Sequence, residues 1–180
     1  MDIATQLARI FAGDRSAFKP IVQHFQASLF AYLGRMGFNQ AQAEELAQDA
    51  FLRAWQHLGE YDAKRAAFST WLFTIAHRMA LNELSKASYR YEMPLVDEAI
   101  DSLVSDRFTP FEQLQASQQQ QQLRHTLQRL NLADRSVIAL AYVQGLDLKT
   151  IAQIEGCSEA ALRVRIHRAK QQLREWLECP

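Results

Sequence analysis

Apolar positions recur at steps of three and four along most of this chain. Phe18, Ile21, Val22, Phe25, Leu29, Tyr32 and Leu33 form one stripe, which predicts a helix from about Ala17 to Met36. Pro20 falls in its first turn, where a missing N–H is tolerated, and Gly37-Phe38-Asn39 ends it. A second stripe, Ala43, Leu46, Ala47, Ala50, Phe51, Ala54, Trp55 and Leu58, predicts an amphipathic helix over Gln40–Leu58. A polar loop, Gly59–Ala67, leads to a third helix from Phe68 to about Ala87, with Ser69 or Thr70 near its start. Ahead of these, residues 3–11 read as a short helix. Gly13-Asp14-Arg15-Ser16 ends that helix and caps the next.

Past residue 87 the periodicity lapses. Residues 88–111 contain Pro94, Pro110 and a cluster of acids, and read as an interdomain linker. Beyond them, Leu114, Leu123, Leu127 and Leu130 carry a helical stripe through the run Gln118–Gln122, which reads as a solvated helix face. Leu132–Gln144 is a further helix, with Gly145 as its C-cap. Asp147 caps a short helix, Leu148–Glu155, and Glu155-Gly156-Cys157 makes a tight turn. Ser158 caps a long helix to about Leu177. Helix, short glycine-containing turn, helix is helix-turn-helix spacing. The predicted fold is all-α: two small helical domains, 1–90 and 112–180, joined by a flexible acidic linker, 91–111. The second is a four-helix unit with the helix-turn-helix.

Charge adds to this picture through its distribution. The formal net charge is zero over 180 residues, which by itself argues against a nucleic-acid binder. Residues 1–90 hold ten Lys/Arg against eight Asp/Glu, and residues 112–180 hold nine against seven. Residues 91–111 hold Arg107 alone against Glu92, Asp97, Glu98, Asp101 and Asp106. Two mildly basic ends therefore flank an acidic stretch. With 48% hydrophobic residues the chain can fold, and no apolar run is long enough to cross a membrane. The opening residues lack the layout of a secretory signal, so a cytoplasmic location is expected. Cys157 and Cys179 make no disulfide framework. No Cys/His cluster has metal-ligand spacing, so Cys157 is expected half-buried.

The last helix sorts its residues by face. Leu162, Ile166, Ala169, Leu173 and Trp176 must face a core. Arg163, His167, Lys170 and Arg174 line a second face, flanked by Arg165 and Arg168. Such a cationic face suits a major groove, where Arg reads guanine edges or phosphate and Lys takes phosphate. The bland alternative, a solvated basic face, is weakened by the short helix and turn in front of it. In the N-terminal half, aromatics gather at Phe68-Ser69-Thr70-Trp71-Leu72-Phe73. Arg78, Asn82 and Lys86 follow four apart on one face with His77 beside them, a combination that suits unstacked bases. Trp71 and Leu72 are expected to pack inward. No phosphate-binding glycine loop or nucleophile–base pattern occurs, and His24, His57, His77, His125 and His167 lie on separate helices as surface or boundary residues. No catalytic residue, metal, cofactor or small-molecule substrate is expected, and the chain does not read as an enzyme.

Phe51-Leu52-Arg53-Ala54-Trp55 and Phe68-Ser69-Thr70-Trp71-Leu72-Phe73-Thr74-Ile75-Ala76 resemble the first domain of extracytoplasmic-function (ECF) RNA polymerase sigma factors. Leu140-Ala141-Tyr142-Val143-Gln144-Gly145-Leu146, Ile151-Ala152 and Arg165-Ile166-His167-Arg168-Ala169-Lys170 resemble their second domain. The resemblance covers nearly the whole chain in order. It implies a protein that binds core RNA polymerase and directs it to promoters. Glu44, Glu45, Gln48, Asp49, Arg53 and Gln56 would dock on the polymerase clamp. Lys64, Arg65, Phe68, Trp71, Arg78, Asn82 and Lys86 would handle the melted minus-ten element. Arg163, Val164, His167 and Arg168 would face bases of the minus-thirty-five duplex, with Lys170 beside them and Arg165 on phosphate or structural duty. The acidic linker would run toward the polymerase active-site channel. The partners implied are core polymerase, promoter DNA and an anti-sigma factor, often membrane-anchored. The chain departs from the family pattern at Asn131, where proline is usual, at Glu159-Ala160-Ala161, and at Val164. The competing reading is a stand-alone helix-turn-helix regulator whose N-terminal domain senses a ligand or dimerises.

Overall fold

The computed structural model describes residues 1–90, 122–123, 125–143 and 146–178. The expected linker, most of the Gln-rich run, the Gly145 cap and Cys179 lie outside the described residues. Among those described, the regular structure is helical throughout, as the periodicity predicts. The helices are α1 (Ile3–Phe11), α2 (Phe18–Met36), α3 (Gln40–Gln56), α4 (Phe68–Arg90), α5 (Leu132–Ala141), α6 (Leu148–Glu155) and α7 (Glu159–Glu178), with a helical turn at 125–128 before α5. Short 3-10 turns, Arg15–Ala17 and Leu58–Glu60, precede α2 and follow α3.

Local chemistry sets most boundaries. Asp2 and Asp14 accept backbone N–H groups at the starts of α1 and of the 3-10 turn ahead of α2. At the start of α3, Asn39 accepts the Gln42 N–H while the Gln42 side chain accepts the Asn39 N–H, a reciprocal cap. Asn131, Asp147 and Ser158 cap α5, α6 and α7 through their side-chain oxygens. Where the sequence predicts a helix over Leu132–Gln144, α5 stops at Ala141 and passes into a turn at Tyr142. Gly156 closes α6 in the left-handed region at φ 64°. Gly37 does the same for α2 at φ 107°, and a Cβ there would sit 3.2 Å from the Arg135 guanidinium.

α2, α3 and α4 pack together through Ile21, Leu29, Leu33 and Met36 from α2, Ala43, Ala47, Ala50 and Ala54 from α3, and Leu72, Phe73, Ala76 and Ala80 from α4, all buried. The alanine stripe gives α3 a thin inner face and allows close helix approach. The same apolar cluster continues through Val137 and Leu140 of α5, Ile151, Ala152 and Ile154 of α6 and Leu162 of α7. The two helical groups therefore share one core instead of standing apart. A smaller cluster, Leu127, Leu130, Ile138 and Ala169, backs α7 with Ile166, Leu173 and Trp176, the face expected to turn inward. Arg129 lies over the Trp176 ring at 4.5 Å.

Arg135 ties the groups at their edge. Its guanidinium donates to the carbonyls of Leu127, Gln128 and Leu130, and across to Met36 at the end of α2, at 2.6–3.2 Å. One cation thus bonds carbonyls from two chain turns, including that of Leu127, which also accepts the Leu130 N–H. Replacing Arg135 by Leu is expected to lower stability by about 2–4 kcal/mol, because the carbonyls of Met36, Gln128 and Leu130 lose this donor. Phe73→Ala, in the shared core, should cost about 3–5 kcal/mol. Chemical denaturation of the two variants checks both values.

Candidate nucleic-acid interface

Three surfaces carry the residues that the sequence singles out. On α3, Glu44, Glu45, Gln48, Asp49, Arg53 and Gln56 are all exposed, because the alanine stripe turns the other side inward. In their midst Leu52 is 53% exposed. It is absent from the expected set. Its signal in the sequence was an apolar residue out of phase with the buried stripe, three and four places from Asp49 and Gln48 on the polar face.

The second surface is the loop before α4 and the outer side of α4. Asp62 accepts the Lys64 N–H, and the Tyr61 hydroxyl donates to the Ala66 carbonyl, so the loop is a closed turn with Lys64 and Arg65 exposed at its tip. Burial pushes the Tyr61 phenol up, with Asp62 adding to it. Tyr61, Phe68 and Trp71 pack edge-to-face and tilted under this turn, with ring centroids 5.3–5.6 Å apart. Here one expectation is corrected. Phe68 is only 3% exposed, wedged between Phe25, Tyr61 and Trp71, so it supports the loop and offers no face to a base. Leu72 is fully buried and Trp71 half-buried, so the inward expectation is met in full only by Leu72. Arg78, Asn82 and Lys86 are exposed on one side of α4.

The third surface is α7. Arg163, Val164, His167, Lys170 and Arg174 are exposed, Val164 at 68%. Arg165 and Arg168 are otherwise engaged. Arg168 Nη2 sits 2.8 and 2.7 Å from the two carboxylate oxygens of Asp134. Arg165 donates to Glu155 at 3.2 Å and to the Ala133 carbonyl at 2.6 Å, and its Nε lies 3.6 Å from Asp134. Both carboxylates are almost completely buried. For Arg165 the structural duty is the one observed. Arg168 remains half exposed and keeps part of its guanidinium toward solvent.

His77 corrects another expectation. His24, His57, His125 and His167 are exposed, but His77 is 6% exposed. Its Nδ1 lies 3.1 Å from both the Tyr32 hydroxyl of α2 and the Ser136 hydroxyl of α5. Ser136 donates to Glu155 of α6 at 2.6 Å, and Glu155 Oε1 is 4.0 Å from the ring. Glu155 in turn holds Arg165 of α7. Five helices thus meet in one polar cluster inside the shared core. Sequence periodicity could not show it, since its members come from both ends of the chain. The cysteine expectation holds: Cys157 is free and half-buried. Among the described residues no His/Cys/Asp/Glu group could hold a metal, and no helix is long and apolar enough to cross a membrane.

Burial lowers the His77 pKa from its ordinary value of 6.5. The Glu155 carboxylate opposes the shift, and the Arg78 and Arg165 cations add to it. Burial also pushes the Tyr32 phenol far up, so it stays a hydrogen-bond donor. A depressed imidazole pKa means the unfolded chain binds protons more readily than the folded one. Stability from this group is complete above pH 6.5 and falls as pH drops below it. Thermal melts should therefore show Tm decreasing between pH 7.5 and 5.5, and His77→Gln should flatten that part of the profile. Parallel profiles for the two proteins would refute the assignment.

Comparison with known proteins follows the same division of the chain. The model of Sigma-70 region 2 matches residues 21–90, and that of Sigma-70, region 4 matches residues 120–173. The chain is 28% identical to the ECF RNA polymerase sigma factor SigW of Bacillus subtilis, covering 98% of this chain and 97% of that protein. It is also 28% identical to the ECF RNA polymerase sigma factor SigL of Mycobacterium tuberculosis, over 93% and 92%. In structure it is similar to CnrH in complex with the cytosolic domain of CnrY, with TM-score 0.73, 23% identity, and 97% and 96% of the two chains covered. It is similar too to RpoE of Bartonella quintana in complex with the anti-sigma factor NepR, with TM-score 0.69, 21% identity, and 90% and 97% covered. These two likenesses concern the fold.

Proposed function

The chain belongs to the ECF sigma factor family, and from that premise we propose how its surfaces divide the work of binding core RNA polymerase and directing it to promoters. The observation that carries the reading is the ordered presence of both sigma regions, with α7 exposing Arg163, Val164, His167 and Lys170 behind a helix-turn-helix.

The outer face of α3 docks on polymerase. Glu44, Glu45, Gln48, Asp49, Arg53 and Gln56 supply a polar rim, and Leu52 supplies the apolar centre that such interfaces concentrate their energy in. The loop at Lys64 and Arg65 and the α4 face of Arg78, Asn82 and Lys86 take the melted minus-ten strand. Trp71 and Tyr61 brace them, and cations on the backbone supply sequence-independent affinity. α7 reads the minus-thirty-five duplex. Arg163 and His167 are suited to base edges or phosphate, Val164 to a thymine methyl, and Lys170 to phosphate. Region boundaries at 1–90 and 112–180 suit this division. The chain contributes binding and positioning, while RNA synthesis belongs to the polymerase. The stand-alone regulator reading has no observation in its favour.

The arrangement seen here is a resting one on this reading. Elements 25 base pairs apart on B-DNA lie on the order of 85 Å apart at 3.4 Å per step. His77 of α4 and Arg165 of α7 both approach the single residue Glu155, so the two halves must separate before both elements are read. An anti-sigma factor is the remaining partner class. RpoE of Bartonella quintana is bound to one in the complex described above, and this chain is assigned the same class of partner.

Run-off transcription tests the central claim: promoter-specific transcripts should appear only when this chain is added to core enzyme. In a gel shift without polymerase, duplex promoter DNA should bind weakly. Strong specific binding by the chain alone would favour the regulator. Leu52→Asp, at an exposed position, should leave the melting curve within about 0.5 kcal/mol of the parent and weaken core binding at least tenfold in a titration. Unchanged core affinity would remove α3 as the docking face.

A further inference from the structure

Asp134 occupies an unusual place for a carboxylate. It is 0% exposed, it lies in the first turn of α5, and its own backbone N–H donates to the Asn131 cap. The Asn131 amide donates back to Oδ2 at 2.8 Å, which fixes the carboxylate's rotamer. Against this fixed group lie the two α7 arginines, Arg168 at 2.7 and 2.8 Å and Arg165 at 3.6 Å. Residues 165 and 168 are three apart, so they present neighbouring positions of one helix side about 4.5 Å apart along the axis. Ala169, fully buried, brings that side close to the α5 group. Two attachments on adjacent turns set the roll of a helix about its axis in a way one attachment cannot. A buried ion pair is weak evidence for stability, since apolar residues of like volume often do as well. What the pair does supply is a geometrically specific attachment.

We propose that Asp134 is the positioning residue of the DNA-reading helix. By holding Arg168, with Arg165 alongside, it sets the roll of α7 so that Arg163, Val164, His167 and Lys170 face the duplex, and it withdraws the Arg168 cation from sequence-independent phosphate binding. This rests on α7 being the duplex reader. Without Asp134 the chain would bind DNA more avidly at low salt and less selectively, because a freed Arg168 favours any phosphate while Arg165 keeps only Glu155 and the Ala133 carbonyl, and the reading face no longer presents one set of side chains.

The test uses the full chain assembled with core polymerase. Wild-type holoenzyme first selects promoters from a random library. Affinity is then measured for a selected promoter and for the same promoter with its upstream element scrambled, across a salt series. Asp134→Asn, which keeps the shape and the Asn131 hydrogen bonds, is expected to reduce discrimination between the two DNAs at least tenfold. It should also steepen the salt dependence by about one, near 0.9 for the phosphate contact that a freed Arg168 adds. In an Arg165→Gln/Arg168→Gln background, D134N should change discrimination less than twofold, since the residues it acts through are gone. Equal losses in the two backgrounds, or D134N discrimination within twofold of wild type, would overturn the proposal. If D134N does not fold by circular dichroism, Asp134→Glu keeps the charge and displaces it by one methylene. A several-fold loss of discrimination is then expected, and none would overturn the proposal. Should wild-type holoenzyme itself ignore the upstream element, α7 is no duplex reader and the positioning role falls with it.

Discussion

Two buried carboxylates, Asp134 and Glu155, govern how this molecule is put together. A negative charge taken out of water needs cations or donors around it, and leaving one unpaired is costly. The two sit in opposite settings. Asp134 is in the first turn of α5, where the helix dipole favours it. Glu155 is the last residue of α6, where the dipole disfavours it. Glu155 therefore depends more heavily on its partners, Arg165 from α7 and Ser136 from α5. Those partners decide the rest: Arg165 fixes α7 against α6, and Ser136 with His77 and Tyr32 carries the link into the N-terminal helices.

α3 stands outside this linkage. Its alanine stripe faces α2 and α4, and its outward face takes no part in the junction between the two halves. The proposed polymerase-docking surface is thus open in the same arrangement that holds α4 and α7 close together. On the proposed reading, a partner can grip Leu52 and its acidic neighbours before the halves part. That grip by itself favours neither form, because a surface equally open in both binds equally in both; separating the halves takes further contacts that only the parted form can make.

Much of this was legible in the sequence because it is local. Asp147 and Ser158 announce their helix starts, Gly37 and Gly156 their ends, and the steps of α3 and α7 identify which sides turn inward. Leu52 was legible in principle, as an apolar residue on a polar face. Charge read as a face of α7 was less informative, because Arg165 and Arg168 satisfy acids that lie 10 and 34 residues away along the chain. Phe68 misled for the opposite reason: an aromatic at a helix start suits both a base and a core, and only its neighbours Phe25, Tyr61 and Trp71 decide between them. His77 shows no amphipathic signature of its kind, since its partners come from α2, α5 and α6. The shared core was hidden for the same reason: the periodicity of each helix says that it has a buried side and not which other helix covers it.

The polar centre of that shared core bears on how readily it can open. Had Tyr32, His77, Ser136 and Glu155 all been leucine-like, separating the halves would expose only apolar surface, at about 25 cal/mol for each Å². Instead, opening returns a phenol, an imidazole, a hydroxyl and a carboxylate to water, and hydration offsets much of what their mutual hydrogen bonds supplied. Such a cluster still rejects misaligned closed states, because any shift leaves buried groups unsatisfied. The junction thereby combines a defined closed geometry with a modest barrier to leaving it. On the proposed reading, in which two DNA-reading surfaces must stand far apart after being held together, that combination matters more than maximal stability.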